Sequence, residues 1–463
     1  NLGDVLVGAI TDATGKFVLE GRIPVGVEFM LVVKAGRFRR VITHSLPAEA
    51  ACQTTSLPTA LPENPVRLPR SMTDGDQVNI PRIAVSTGQV DAMECVLEKM
   101  GLDHGEFSNP GADGSATPRV HLYRGAAGDN VAFGGMGPGG MGPGGMGTGT
   151  TTAGGTATTT GTTATTGTAT GTTGGTTTGG TGMVDEGLGA RIDDMTPLDA
   201  ELYGDSARLL QYDIVVADCE GIAWDGTFAE RDANGANVRE FVNRGGRMFA
   251  SHLSFSWLYE NGETAFSEAD PIATGLDPAA TWSTATDTSD TGEGVISLDR
   301  PNASPRIQTF ADWMSNEAIA VAPEYTFTIT EPRSQNTGLG EFSEEFVYQS
   351  DGNERVQQFS FNTPYGAPEE LSCGRVAYSG FHVSVGGGDS PFADAIFPEH
   401  CTGDLTQQEK VLLFMLFDLG ACVGEVPPSP PCVPVKCEDL DTCGRAADGC
   451  GGLLDCGACP PPE

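Results

Sequence analysis

Short apolar strands alternating with amphipathic helices predict an α/β fold on a mainly parallel sheet, with a small β-sandwich before it and a cysteine-rich tail after it. Three observations carry this expectation. Residues 1–70 hold strand-like runs and no helical period. From Pro81 the period changes to strand, helix, strand. Six of the twelve cysteines crowd into residues 432–459. At 463 residues the chain has room for roughly three domains of ~150 residues.

In residues 1–70, Val5-Leu6-Val7, Lys16-Phe17-Val18-Leu19 and Phe29-Met30-Leu31-Val32-Val33 read as strands separated by Asp/Gly and Pro/Gly turns. The α/β part spans residues 78–133 and 183–425. Ile83-Ala84-Val85 is its first strand. Asp91 to Met100 is a helix with Met93, Val96, Leu97 and Met100 on one face, stopped by Gly101. Val120–Tyr123 is a second strand, Ser206–Leu210 a helix, Asp213–Ala217 a third strand, Ala236–Asn243 a helix and Arg247–Ala250 a fourth strand. Arg375–Tyr378 and the helix Gln407–Phe417 close the series. Such alternation implies βαβ units with right-handed crossovers.

The formal charge is −36, from 62 acidic against 26 basic side chains, which argues against nucleic acid as a partner. The one tight basic group is Arg37, Arg39 and Arg40. No run suits a membrane span: Val411 to Val423 is short and interrupted by Asp418, so a buried helix is expected. The cysteine usage points to an oxidising, extracellular or cell-surface location. Asn1 is expected to be the first residue of a processed or an incomplete chain.

Thr11-Asp12-Ala13-Thr14-Gly15-Lys16-Phe17-Val18-Leu19 with Ile23-Pro24-Val25-Gly26 resembles the carboxypeptidase regulatory-like domains, which are transthyretin-like sandwiches. A sandwich of that kind implies about seven strands. Only four or five are legible, so either a preceding piece or a neighbour's strand completes it. Tyr212-Asp213-Ile214-Val215-Val216, Phe241-Val242-Asn243-Arg244-Gly245-Gly246-Arg247 and Ser251-His252 resemble the flavodoxin-like class I amidotransferase superfamily, its trehalose-utilisation-type branch in particular. Asp218-Cys219-Glu220-Gly221, Ser372-Cys373-Gly374-Arg375-Val376 and Phe381-His382-Val383-Ser384 further resemble a group of large secreted myxobacterial proteins that join the two domains. The resemblance implies a flavodoxin-like sheet and no particular activity.

Residues 134–182 form a Gly/Thr-rich insert; between Gly147 and Thr181 only Thr, Gly and Ala occur. Such composition ordinarily gives a flexible linker. Here, however, it interrupts one domain rather than joining two. Paired β or polyproline-II segments from other chains would offset its ordering entropy, and its hydroxyls suit O-glycans. Residues 426–463 are a Pro-rich hinge and a six-cysteine module. Cys432, Cys437, Cys443, Cys450, Cys456 and Cys459 allow fifteen pairings, and three disulfides are expected. Cys373 with Cys401, and Cys52 with Cys95, are further candidate staples.

Cys219 is the candidate nucleophile, because it ends a strand and a histidine base is in prospect: His252 and His382 both follow strands. With Cys219 or Glu220 these histidines suit a hydrolytic or metal site. A buried structural thiol is the plainer alternative, and the Gly-x-Cys-x-Gly elbow is missing. Asp287, Asp290 and Glu293 offer oxygen ligands for Ca2+, the one cofactor in prospect, although a solvated acidic loop is simpler. Three functional readings follow. The first is a non-catalytic, secreted structural protein whose copies assemble into a filament or surface layer. The second is a hydrolase or amidotransferase-like enzyme at Cys219, His252 and His382, which requires an accessible thiol. The third is a glycan- or surface-binding adhesin with an exposed platform at Trp224, Trp257 or Trp282.

Overall fold

The computed structural model describes residues 6–12, 14–60, 64–111, 118–125, 189–219, 228–258, 276–282, 291–300, 303–350, 355–383, 392, 394–421, 436, 445–447 and 453–457. For residues 228–233, 445–447 and 453–455 only the backbone course is described. The 134–182 insert and most of the cysteine tail lie outside these residues.

Strands β1 (Glu28–Ala35), β2 (Phe38–Ser45) and β3 (Gln77–Asn79) form a three-stranded antiparallel sheet in that order. Val5–Val7 and Lys16–Leu19, expected as strands, enter no ladder among the described residues: Leu6, Val7 and Lys16–Leu19 run outside any strand. A strand needs a partner for its N–H and C=O groups, and among the described residues β1 pairs on one side only, with β2. The third strand, β3, lies past the expected boundary at residue 70.

The large sheet has ten strands. Its parallel half is β4 (Ile83–Thr87), β5 (Phe107–Ser108), β6 (Val120–Arg124), β7 (Ile214–Ala217), β8 (Arg247–Ser251) and, later in the chain, β15 (Gly374–Ser379). Across the sheet these run β5-β6-β4-β7-β8-β15, every neighbouring pair parallel. The expected strands and helices of this half are found, with ends shifted by a residue or more. An antiparallel wing, unforeseen in the sequence, continues from β15 through β14 (Arg355–Thr363), β13 (Ser343–Gln349) and β10 (Thr291–Ile296) to β11 (Thr326–Thr330). A small ladder pairs β9 (Ala280–Trp282) with β12 (Asn336–Leu339), and β16 (Arg445–Ala447) pairs with β17 (Leu453–Asp455) in the tail.

Helices cover both faces, because alternate strand residues are apolar in both directions. On one face α1 (Met93–Lys99), α5 (Pro305–Asn316) and α6 (Gln407–Leu419) pack on Ile83, Val85, Val216 and Phe249. On the other, α2 (Ala200–Tyr203), α3 (Ser206–Leu209) and α4 (Phe228–Asn243) pack on Ala84, Val215, Met248 and Tyr378. Helix α6 is the buried apolar run expected near the C-terminus. It starts at a Thr406/Glu409 capping box and buries Val411, Leu412, Met415, Leu416 and Leu419, each worth about 1.5–3 kcal/mol of apolar burial. No helix among the described residues is long and apolar enough to cross a membrane.

The interruption of that run by Asp418 has a structural cause. Arg306 of α5 donates to both Asp418 carboxylate oxygens, and Arg375 of β15 donates to the Asp418 carbonyl at 2.8 Å. Arg306 also pairs with Glu344 of β13, so one acidic residue fastens two helices to the sheet. The three-stranded sheet docks nearby: Phe38 meets Phe417 with ring centroids 5.8 Å apart, and Arg37 pairs with Asp213. Gly36, at φ 55°, touches the α6 end so closely that a Cβ there would lie 2.3 Å from the Gly420 carbonyl oxygen.

Replacing Asp418 by Ala removes the buried carboxylate that Arg306 and Arg375 share. A loss of about 3–5 kcal/mol of unfolding free energy is expected, read as a lower urea midpoint. A loss below ~1 kcal/mol would mean that the network is not holding α5 and α6 to the sheet.

Candidate functional site

Four adjacent parallel strands, in the order β4, β7, β8 and β15, deliver side chains to one place just beyond their carboxyl ends. Asp91 follows β4, Asp218 and Cys219 follow β7, His252 follows β8, and His382 follows β15. This edge is where sheets of parallel strands place their ligands. The strand ends are pressed together: a Cβ on Gly88 would lie 2.1 Å from the Cys219 carbonyl oxygen, so only glycine fits there. Val90 N–H donates to that same carbonyl at 3.3 Å.

The structure therefore unites the three residues singled out in the sequence. Cys219 Sγ lies 3.2 Å from His252 Nδ1, and the His252 and His382 rings meet edge to face with centroids 4.8 Å apart. Cys219 is a thiol, not half of a disulfide, and none of its surface is exposed. His252 sits at φ 39°, a left-handed conformation that costs an ordinary residue about 1–2 kcal/mol. That turn folds the ring back over the sheet edge as the chain enters the 3-10 turn His252–Trp257. Burial pushes the His252 imidazole far below the usual histidine range, and neighbouring His382 and Arg333 add to the effect. The ring is neutral, and its Nε2 is buried with no hydrogen-bond partner among the described residues.

His382 is held by a carboxylate missed in the sequence. Both oxygens of Asp91 lie 3.1 Å from His382 Nδ1; Ser251 Oγ–H and the Val383 N–H also donate to Asp91. Burial alone would raise the Asp91 pKa, but His382 and these donors reverse it, so the carboxyl is held below the usual range. Arg333 Nε–H donates to His382 Nε2 at 3.3 Å, which fixes the Nδ1–H tautomer, and its other end pairs with Glu331. Asp218 is the opposite case. Burial, then the charges of Glu94 and Asp91, push it well above the carboxylate range, and its Oδ1 has no partner among the described residues.

The other candidates fare differently. Cys95 pairs with Cys401, not with Cys52, and Cys52 and Cys373 are exposed thiols. The cause is that α1 and the approach to α6 share one face of the sheet, bringing Cys95 and Cys401 Cα atoms to 5.0 Å. Cys456 is disulfide-bonded; Cys432, Cys437, Cys443, Cys450 and Cys459 lie outside the described residues. Of the Ca2+ candidates, Asp287 and Asp290 also lie outside them, and Glu293 sits within β10, opposite Thr328 of β11. Trp257 and Trp282 are core side chains, 3% and 9% exposed, so neither can serve the expected aromatic platform; Trp224 lies outside the described residues.

No family model matches the chain, and no curated protein matches it. Among solved structures, Gan42B, a GH42 beta-galactosidase, aligns at 11% identity with a TM-score of 0.22, over 40% of this chain. The chain spans 20% of that protein's length, and a likeness this slight carries no argument about fold or function.

Beside the disulfide, His400 Nε2 lies 2.6 Å from the buried Glu94 carboxylate. Burial lowers the His400 pKa, but the Glu94 hydrogen bond and charge outweigh it, and the net shift is upward. A raised folded-state pKa means that the contribution is full below the unfolded value of about 6.5 and is lost as pH rises through the folded value. The stability gap between wild type and His400→Gln should therefore be widest near pH 5–6 and close toward pH 9 in chemical denaturation. A gap independent of pH would refute the ion pair.

Proposed function

We propose that this chain is a secreted structural protein whose copies assemble head to tail into an extracellular filament or surface layer. The observation that carries the reading is the unfinished three-stranded sheet. Among the described residues its edge strand β1 pairs on one side only, and the segment leading to it exposes Leu6, Ile10, Val18 and Val27, with Met30 exposed on β1 itself. An open edge beside exposed apolar side chains is a template for another chain's strand. Charge favours a second copy as that chain: residues 1–45 hold six basic against four acidic side chains, whereas the whole chain stands at −36. A basic end meeting an acidic body is a heterologous contact, and such contacts grow rather than close. The 134–182 insert is the second connector in this reading, and O-glycans on its threonines suit the same setting.

The finer fold assignment belongs here too. Numbering the long parallel strands in chain order, β6-β4-β7-β8-β15 is 2-1-3-4-5, the flavodoxin-like order, which supports the amidotransferase-type resemblance. The small antiparallel sheet supports an incomplete regulatory-like sandwich.

Negative-stain microscopy of the full chain should reveal fibres or sheets, and monodisperse particles alone at high concentration would sink the proposal. Val18→Glu with Met30→Glu should raise the critical concentration at least about tenfold. Deleting residues 134–182 should abolish assembly while the α/β body keeps its melting transition.

A second reading, acyl transfer or hydrolysis at Cys219, is favoured by the 3.2 Å thiol–imidazole contact and the Asp91–His382 pair beside it. The accessible thiol that it requires is not found in this structure, where Cys219 has no exposed surface, and it therefore ranks below the first. It requires Cys219→Ala to lower hydrolysis of activated esters by about a hundredfold or more; an unchanged rate rejects it.

A further inference from the structure

We propose that Cys219, His252 and His382 form a zinc site. This goes beyond both functional readings, since neither needs a metal. One donor atom from each of the three residues falls within 4.8 Å of the other two. Zn–S and Zn–N bonds of about 2.3 and 2.0–2.1 Å place tetrahedral ligands roughly 3.3–3.6 Å apart. The Sγ to Nδ1 separation of 3.2 Å is already there, and His382 needs a movement of about an ångström.

The donor set has the right chemistry. A thiolate and two imidazoles suit zinc and reject magnesium or calcium, which prefer oxygen. His252 sets one ring nitrogen on the thiol, and its other is buried without a partner among the described residues. Behind His382, Asp91 accepts the Nδ1–H, the carboxylate–imidazole support that orients histidine ligands and raises their basicity. Ser251 and Val383 fix that carboxylate in turn. Binding releases the Cys219 thiol proton to solvent, with no change of oxidation state.

One group opposes the ion. Arg333 donates to His382 Nε2, so its guanidinium must swing aside, toward the Glu331 carboxylate that it already meets at 3.2 Å. Arg333 is thus a built-in competitor for the third ligand, and its removal should strengthen the site.

The test uses the full chain, stripped with a chelator and titrated with zinc alone, then with Co2+ as a spectroscopic substitute. One equivalent per chain is expected, with a thiolate-to-cobalt charge-transfer band. Cys219→Ala should abolish the band, and Cys52→Ser with Cys373→Ser should keep it, which separates this site from the exposed thiols. Arg333→Gln should tighten zinc binding by about tenfold, through loss of a like charge and a competing donor. Should Cys219→Ala fail to fold, Asp91→Asn serves instead and should weaken binding by about ten- to a hundredfold. Zinc below a tenth of an equivalent, a band that survives Cys219→Ala, or equal or weaker binding in Arg333→Gln would each overturn the assignment. None of these outcomes bears on self-assembly, which microscopy reads separately.

Discussion

A carboxylate sealed from water is tolerable only when donors surround it, and Asp91 is the case on which the sheet edge turns. Its two oxygens gather an imidazole N–H from His382, a hydroxyl from Ser251 and a backbone N–H from Val383. These donors come from the ends of β8 and β15, while Asp91 itself follows β4. One anion thus locks three strand ends into a fixed relation. The position and tautomer of His382 follow, and with them the ring that leans on His252. Asp218, on the same edge, is driven the other way by burial and then by the charges of Glu94 and Asp91. Two buried acids on one edge are therefore pushed in opposite directions from the usual carboxylate range, an arrangement common where proteins bind or react.

Much of the parallel half is legible in the sequence because strands buried on both faces hold continuous apolar runs, as in Ile214–Ala217 and residues 248–250. The antiparallel wing is not legible for the converse reason. In Arg355–Thr363, Gln357, Gln358 and Ser360 are fully buried, so the run carries no clean alternation of polar and apolar residues. Elsewhere in the wing, three of the five residues of Thr326–Thr330 are threonine, and Ser343–Gln349 opens on Ser343-Glu344-Glu345. Helix α5 did carry a signal, Ser304 capping with Pro305 in the first turn.

Of the site, Cys219, His252 and His382 were findable because each follows a readable strand. Asp91 was hidden by its place just ahead of a helix, where an acidic residue ordinarily serves the helix dipole. Arg333 was hidden because it lies in the irregular link between β11 and β12, where no periodicity points at anything. The disulfide partners were misjudged for a topological reason: Cys95 and Cys401 are distant in sequence, and only the shared helical layer makes them neighbours.

That cross-link has a corollary for the chain as an object. Joining residues 95 and 401 turns 306 residues of sequence separation into a closed ring, with the N-terminal segment and α6 packed against it from outside. Severing the backbone anywhere inside the ring, including within the long Gly/Thr stretch, opens the circle without releasing a piece. The halves stay one molecule until a reductant arrives, so a nicked chain keeps its full mass.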